Sequence, residues 1–300
     1  MSKRAWLLFG ALSVIWGIPY LLIRISVREV APSTLIFFRT APVALVLLPV
    51  IAHRGQIPEL LRRWKPLLAY TAAEILLPWL MLFKAEEKLT SSLAGLLLAA
   101  VPLMGVLIAR LSGDADRLDA KRVAGLLLGL AGVGLLVGVD VRGATALPIA
   151  EMLVPIFGYA LGPRIFDRHL SDLPSLGVVA GSLTVATIVY APFTFSNLPT
   201  RLSAEVTASV VTLAVVPTFL GFLVFFSLIN EIGPVRTTVV TYVNPAVALV
   251  LGVLLLHEPF TFGLGVGLPL IIAGSVLAAA RRSGKLGEDP GAAGGFVAHP

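Results

Sequence analysis

Glu74 stands ninth of eighteen residues in the apolar run Pro66–Phe83, with Tyr70 and Pro78 one turn to either side. A carboxylate that deep in a stretch long enough to cross a bilayer cannot snorkel to water, so it must be hydrated, paired or protonated. Such a group can bind an ammonium or other cationic part of a ligand, or carry a proton. Three more runs bear narrow polar stripes at helical spacing. The first has Ser13, Gly17, Tyr20 and Arg24 with Trp16 beside them. The second has Glu151, Pro155, Tyr159 and Gly162. The third has Thr237, Thr241 and Asn244 flanked by Tyr242. Stripes of this kind either line a shared interior path or pack helices together. Read as a path, they nominate Trp16, Tyr20, Glu74, Trp79, Tyr159, Tyr242 and Asn244 as substrate-contacting residues. Competing readings stand beside these: Trp79 as an interfacial anchor, Glu74 as a neutral structural carboxyl, and Arg39 as either snorkelling to headgroups or turned inward.

Other chemistries find little support. The four histidines are far apart with no metal-ligand spacing, and cysteine is absent, so no metal site or nucleophilic thiol is expected. There is no glycine-rich phosphate loop ahead of a helix. No catalytic residue, no cofactor and no enzymatic activity are expected. Asp114, Asp116 and Asp119 read as a solvated loop. The net charge of +6 is spread in short clusters between apolar blocks, which argues against a nucleic-acid surface.

The elements that must position these residues are set by composition. A soluble domain carries roughly 25% charged residues, whereas this chain has 13% charged and 57% hydrophobic residues. Only lipid can cover so much apolar side chain. A crossing helix needs about 20 mostly apolar residues. Spans are predicted at Ala5–Ile23, Ser33–Ile51, Pro66–Phe83, Ser91–Ala109, Val123–Val139, Ala146–Pro163, Pro174–Phe195, Thr207–Asn230, Thr237–Leu256 and Thr261–Ala280. The runs are too long, and alternate too little, for strands. With the N-terminus inside, sixteen basic residues fall in cytoplasmic segments against six outside, so both termini are expected to be cytoplasmic. The Gly/Pro-rich segment 283–300 is expected to be a disordered tail. Pro102, Pro155, Pro217 and Pro245 sit inside spans, where each frees a carbonyl. Seventeen arginines against six lysines, with heavy use of Ala, Leu, Val and Gly, fit a GC-rich bacterial genome and hence an inner membrane.

The chain also repeats. Trp16-Gly17 matches Phe157-Gly158 at an offset of 141, Ala131-Gly132 matches Ala273-Gly274 at 142, and Pro102 matches Pro245 at 143. Asp116 falls under Glu258, also at 142. The expected architecture is an all-α membrane protein of ten transmembrane helices in two inverted five-helix repeats, residues 1–140 and 141–282. An odd number of helices forces the second copy to enter the membrane upside down. Inverted repeats are a recurrent plan of secondary transporters.

Val14-Ile15-Trp16-Gly17, Pro32-Ser33-Thr34-Leu35 and Phe38-Arg39 in the first half are similar to the opening of the EamA-type drug/metabolite transporters. The second half resembles them more closely: Ile232-Gly233-Pro234, Tyr242-Val243-Asn244-Pro245-Ala246, His257-Glu258-Pro259-Phe260-Thr261 and Ile272-Ala273-Gly274. In the first half, Gly113-Asp114-Ala115-Asp116 replaces the family's glutamate loop. The resemblance covers residues 5–280 and implies a secondary transporter with a central cavity, often an exporter of amino acids or related metabolites. The expected partners are a small-molecule substrate, the lipid bilayer and, as a coupling ion, the proton. The alternatives are an uptake or exchange carrier for another metabolite or drug, and a channel or scaffold subunit.

Overall fold

The structure, a computed structural model, describes residues 2–112, 120–140, 146–232, 237 and 240–279. The predicted tail, the Asp114–Asp116 loop, the Gly233-Pro234 motif and the side chain of Tyr242 lie outside what is described. Among the described residues every regular element is helical. In chain order the main helices are α1 (Lys3–Ser26), α2 (Pro32–His53), α3 (Trp64–Glu86), α4 (Ser91–Leu111), α5 (Ala120–Asp140), α6 (Ala146–His169), α7 (Ser175–Ser196), α8 (Ala204–Ile232), α9 (Val240–Leu255) and α10 (Phe262–Ala279). Seven of these, all but α5, α9 and α10, are long and apolar enough to cross a membrane; the other three hold shorter apolar stretches. Large side chains such as Leu7, Leu45, Ile188 and Leu254 stand exposed on the bundle's flanks, where lipid is the solvent that can cover them.

Helix starts follow local chemistry. Ser2 Oγ accepts from the Ala5 amide at 3.0 Å, Thr90 Oγ1 from Leu93 at 3.2 Å and Ser203 Oγ from Val206 at 3.2 Å. Pro32 opens α2, where its missing N–H costs nothing.

Two helices depart from α geometry at matching places. α3 widens into π-helical turns at Ala72–Leu76 and α8 at Ala214–Leu220, starting 142 residues apart. A π-turn loosens the backbone ladder, and in lipid a freed carbonyl needs a partner within the protein. Tyr190 of α7 donates to the Leu76 carbonyl at 2.7 Å, and Thr218 Oγ1 donates to the Leu213 carbonyl at 2.9 Å. α4 breaks at Ala99-Ala100 just before Pro102, and Ser275 of α10 donates to the Ala99 carbonyl at 3.2 Å.

The pairing of helices is regular. α5 packs along α10, α2 along α7 and α4 against α9. α1 lies between α8 and α9, and α6 lies between α3 and α4. Exchanging the first five labels for the second five returns the same set of pairs. The α5–α10 seam is tight because glycines meet there: a Cβ on Gly274 would overlap the backbone of Gly129 and Gly125. Polar ties close both ends. Arg63 at the start of α3 reaches Asp172 at 2.6 Å and the His169 carbonyl at 2.7 Å. At the other end Arg28 faces Glu205 at 3.8 Å. Beside it Glu29 accepts from the Ser203 amide at 2.8 Å, which holds the Glu29 carboxyl below the usual carboxylate range.

Candidate substrate site

Arg39 turns inward. On α2 it is only 8% exposed, and its guanidinium lies over the Trp79 indole of α3, 3.7 Å from the ring centroid. Its Nε donates to Thr218 Oγ1 at 2.9 Å, within the π-turn of α8. A buried guanidinium needs such partners, because an indole face and a hydroxyl replace part of the water it has lost. Tyr20 of α1 and Tyr159 of α6 lie close enough to Arg39 to interact with it electrostatically.

Glu74 occupies the π-turn of α3. Its carboxylate packs over Gly162 of α6, so that any Cβ at position 162 would overlap it. The absence of a side chain there is what lets α6 approach. Tyr70 stands beside Glu74, and Tyr159 interacts with Glu74 as well as with Arg39. Four of the residues nominated from sequence, Tyr20, Glu74, Trp79 and Tyr159, therefore converge with Arg39 on one aromatic-lined region contributed by both halves of the chain.

Trp16 and Asn244 have other neighbours. Trp16 donates from Nε1 to the Pro217 carbonyl at 3.2 Å and packs on Phe225, centroids 4.9 Å apart, and on Phe222. It belongs to the α1–α8 seam. Asn244 lies on α9 where its main-chain oxygen faces Gly17, and its buried Oδ1 has no hydrogen-bond partner among the described residues.

Two carboxylates of structural weight were not singled out as site residues from sequence. Glu258, in the motif that follows α9, accepts from the amides of Ser91 at 2.7 Å and Ser92 at 3.0 Å and from the Ser92 hydroxyl. It caps the N-terminus of α4, where a negative charge meets the positive end of the helix dipole. The left-handed φ of 53° at His257 turns the chain back to bring it there. Glu86, the last residue of α3, is 0% exposed, and neither carboxylate oxygen has a hydrogen-bond partner among the described residues. Arg24 donates to its main-chain carbonyl at 2.5 Å. In the sequence Glu86 is one of four charged residues between Lys84 and Lys88, a composition that reads as a solvated loop.

The apolar flanks, the long helices and the buried charged cluster define a polytopic membrane protein. The chain matches the EamA-like transporter family twice, over residues 4–138 and again over 147–280, and it belongs to that family. It is 26% identical over 276 residues to the uncharacterised transporter YvbV of Bacillus subtilis, covering 90% of each chain. It is 29% identical over 265 residues to the uncharacterised inner membrane transporter YedA of Escherichia coli, covering 82% of this chain and 81% of that protein. A probable amino-acid metabolite efflux pump of Salmonella typhimurium is 25% identical over 91% of this chain and 94% of its own. One crystal structure aligns with a TM-score of 0.64 at 23% identity, covering 94% of this chain and all of the other, which speaks for the fold.

Proposed function

We propose that the protein exports amino acids or closely related zwitterionic metabolites by alternating access around the Arg39–Glu74 region. One observation carries this reading: Tyr159 interacts with both a buried cation, Arg39, and a deep carboxylate, Glu74. A cation and a carboxylate within electrostatic reach of one phenol complement the carboxylate and ammonium of a single zwitterion. Trp79 and Tyr20 supply the aromatic walls. Export, and amino acids as the class, are supported by the efflux pump of Salmonella typhimurium among the relatives.

The architecture we assign is ten membrane helices in two inverted repeats, residues 1–140 and 141–282, with both termini cytoplasmic. Its support is the double family match, the matching π-turns of α3 and α8, the self-mapping helix pairs and the asymmetry of basic residues. Two copies facing opposite ways can exchange conformations, which makes inward-open and outward-open states near mirror images. The test is a resistance and accumulation screen: cells overproducing the protein, challenged with single amino acids and dipeptides at toxic levels. Expected is resistance to a subset, with lower internal accumulation. Equal accumulation across the whole panel would overturn the substrate class.

A further inference from the structure

We propose that Glu86 is a proton-binding site whose protonation closes the end of the bundle where α1 and α3 finish, an inference that rests on the alternating-access reading. Glu86 is fully buried, and among the described residues both carboxylate oxygens lack hydrogen-bond partners. The groups facing it come from several elements. Arg24 of α1 donates from Nη1 to the Glu86 main-chain carbonyl and is a cation within electrostatic reach of the carboxylate. Tyr20 of α1, Arg39 of α2 and Glu258 of the α9–α10 loop are within electrostatic reach. Glu258 is a like charge, already committed to the α4 amides. α4 itself offers uncharged Ser91, whose buried hydroxyl also has no hydrogen-bond partner among the described residues.

An ionised carboxylate in such a place is a dry charge without hydrogen bonds, a costly arrangement. The protonated acid is neutral and tolerates that burial. Parting of α1, α3 and α4 would admit water and favour the ionised form, the released proton passing to that water. By linkage, protonation and opening therefore oppose each other: acid favours the closed end and alkali the open one. Glu74 has a different position, midway along α3 and partly exposed. The two carboxylates thus divide the work, Glu74 meeting substrate and Glu86 carrying the proton.

The test needs no substrate, so it stands apart from the transport screen. Ser26, the last residue of α1, is buried, its hydroxyl has no hydrogen-bond partner among the described residues, and the chain contains no cysteine. Ser26→Cys is nearly isosteric. The purified variant is labelled with a water-soluble maleimide from mildly acid to alkaline pH, alongside Ser26→Cys/Glu86→Gln, which corrects for thiol ionisation. Expected is a labelling ratio between the two proteins that rises with pH by about tenfold, the change linked to one pKa unit of differential interaction. A ratio independent of pH would overturn the proposal, as would one that responds to sodium at fixed pH. Infrared spectra of Glu74→Gln protein provide a second reading that requires no folded Glu86 variant. The carbonyl stretch of a protonated carboxylic acid should persist at neutral pH and fade in alkali. Its absence at neutral pH would equally sink the idea.

Discussion

The guanidinium of Arg39 lies 3.7 Å from the centroid of the Trp79 indole, joining α2 to α3, while its Nε reaches Thr218 in α8. Three helices from both halves of the chain are thereby fixed around one positive charge. The Arg side chain suits this place because its planar fork can stack and donate at once. Lysine would keep the charge but lose the stacking and the Nε bond. Arg39→Lys is expected to raise the KM for carboxylate-bearing substrates about tenfold, from a loss of roughly 1–2 kcal/mol for a desolvated cation–π contact. A methyl-ester analogue, lacking the carboxylate, should be affected much less. Equal effects on both substrates would show that Arg39 serves packing alone.

Glu74→Gln keeps the shape and hydrogen-bonding capacity of the side chain and removes its charge. It should abolish transport of amine-bearing substrates while expression and thermal stability stay near wild type. Normal transport by the Gln variant would make Glu74 a structural carboxyl.

Gly162→Ala offers an independent route to the same site. The new methyl would overlap the Glu74 carboxylate and its Cγ, so the side chain must swing away about its Cα–Cβ bond. The helices can therefore stay in place while the carboxylate is displaced. Transport should fall as far as in Glu74→Gln, with the melting temperature changed by only a few degrees. A large loss of stability with residual transport intact would contradict this placement.

Much of this was legible in sequence, and the limits have physical causes. The predicted span Pro66–Phe83 lies inside α3, Trp64–Glu86, and Ala5–Ile23 lies inside α1, Lys3–Ser26. Hydropathy marks the lipid-facing middle of a helix, but its hydrogen-bonded ladder runs on through charged residues, so the burial of Glu86 leaves no mark in the sequence. Tyr20, Glu74, Trp79 and Tyr159 are nominated from sequence because polar groups deep in apolar runs need interior partners, and the structure brings these four together. Trp16 looked equivalent by the same logic, yet its indole is taken up by the Pro217 carbonyl. That carbonyl is presented by a π-turn, whose register depends on neighbouring helices and leaves no mark in local spacing.

The sixteen-to-six asymmetry of basic residues predicts the sidedness of the chain. Cysteine placed at Gly143 should react with an impermeant thiol reagent applied to intact cells, and cysteine at Gly55 should not. The opposite pattern would invert the topology.

Alternating access predicts that each end can be locked separately. Cysteine pairs replacing Arg63 and Asp172 at one end, and Arg28 and Glu205 at the other, join one half of the chain to the other. Crosslinking either pair should stop transport, and reduction should restore it. Undiminished flux with one end locked would point to a channel.

The π-turn at Ala72–Leu76 has a rotational consequence for everything beyond it. Each residue of an α-helix advances the azimuth by about 100°, so one residue taken up by a wide turn re-aims the rest of the rod by that amount. Tyr70, before the turn, and Trp79, after it, thus look in directions a regular helix could not give them. Straightened to α geometry with the first half fixed, α3 would swing Trp79 off Arg39 and carry Glu86 out of its dry niche. The wide turn sets the aim of both side chains, and its offset is a single residue.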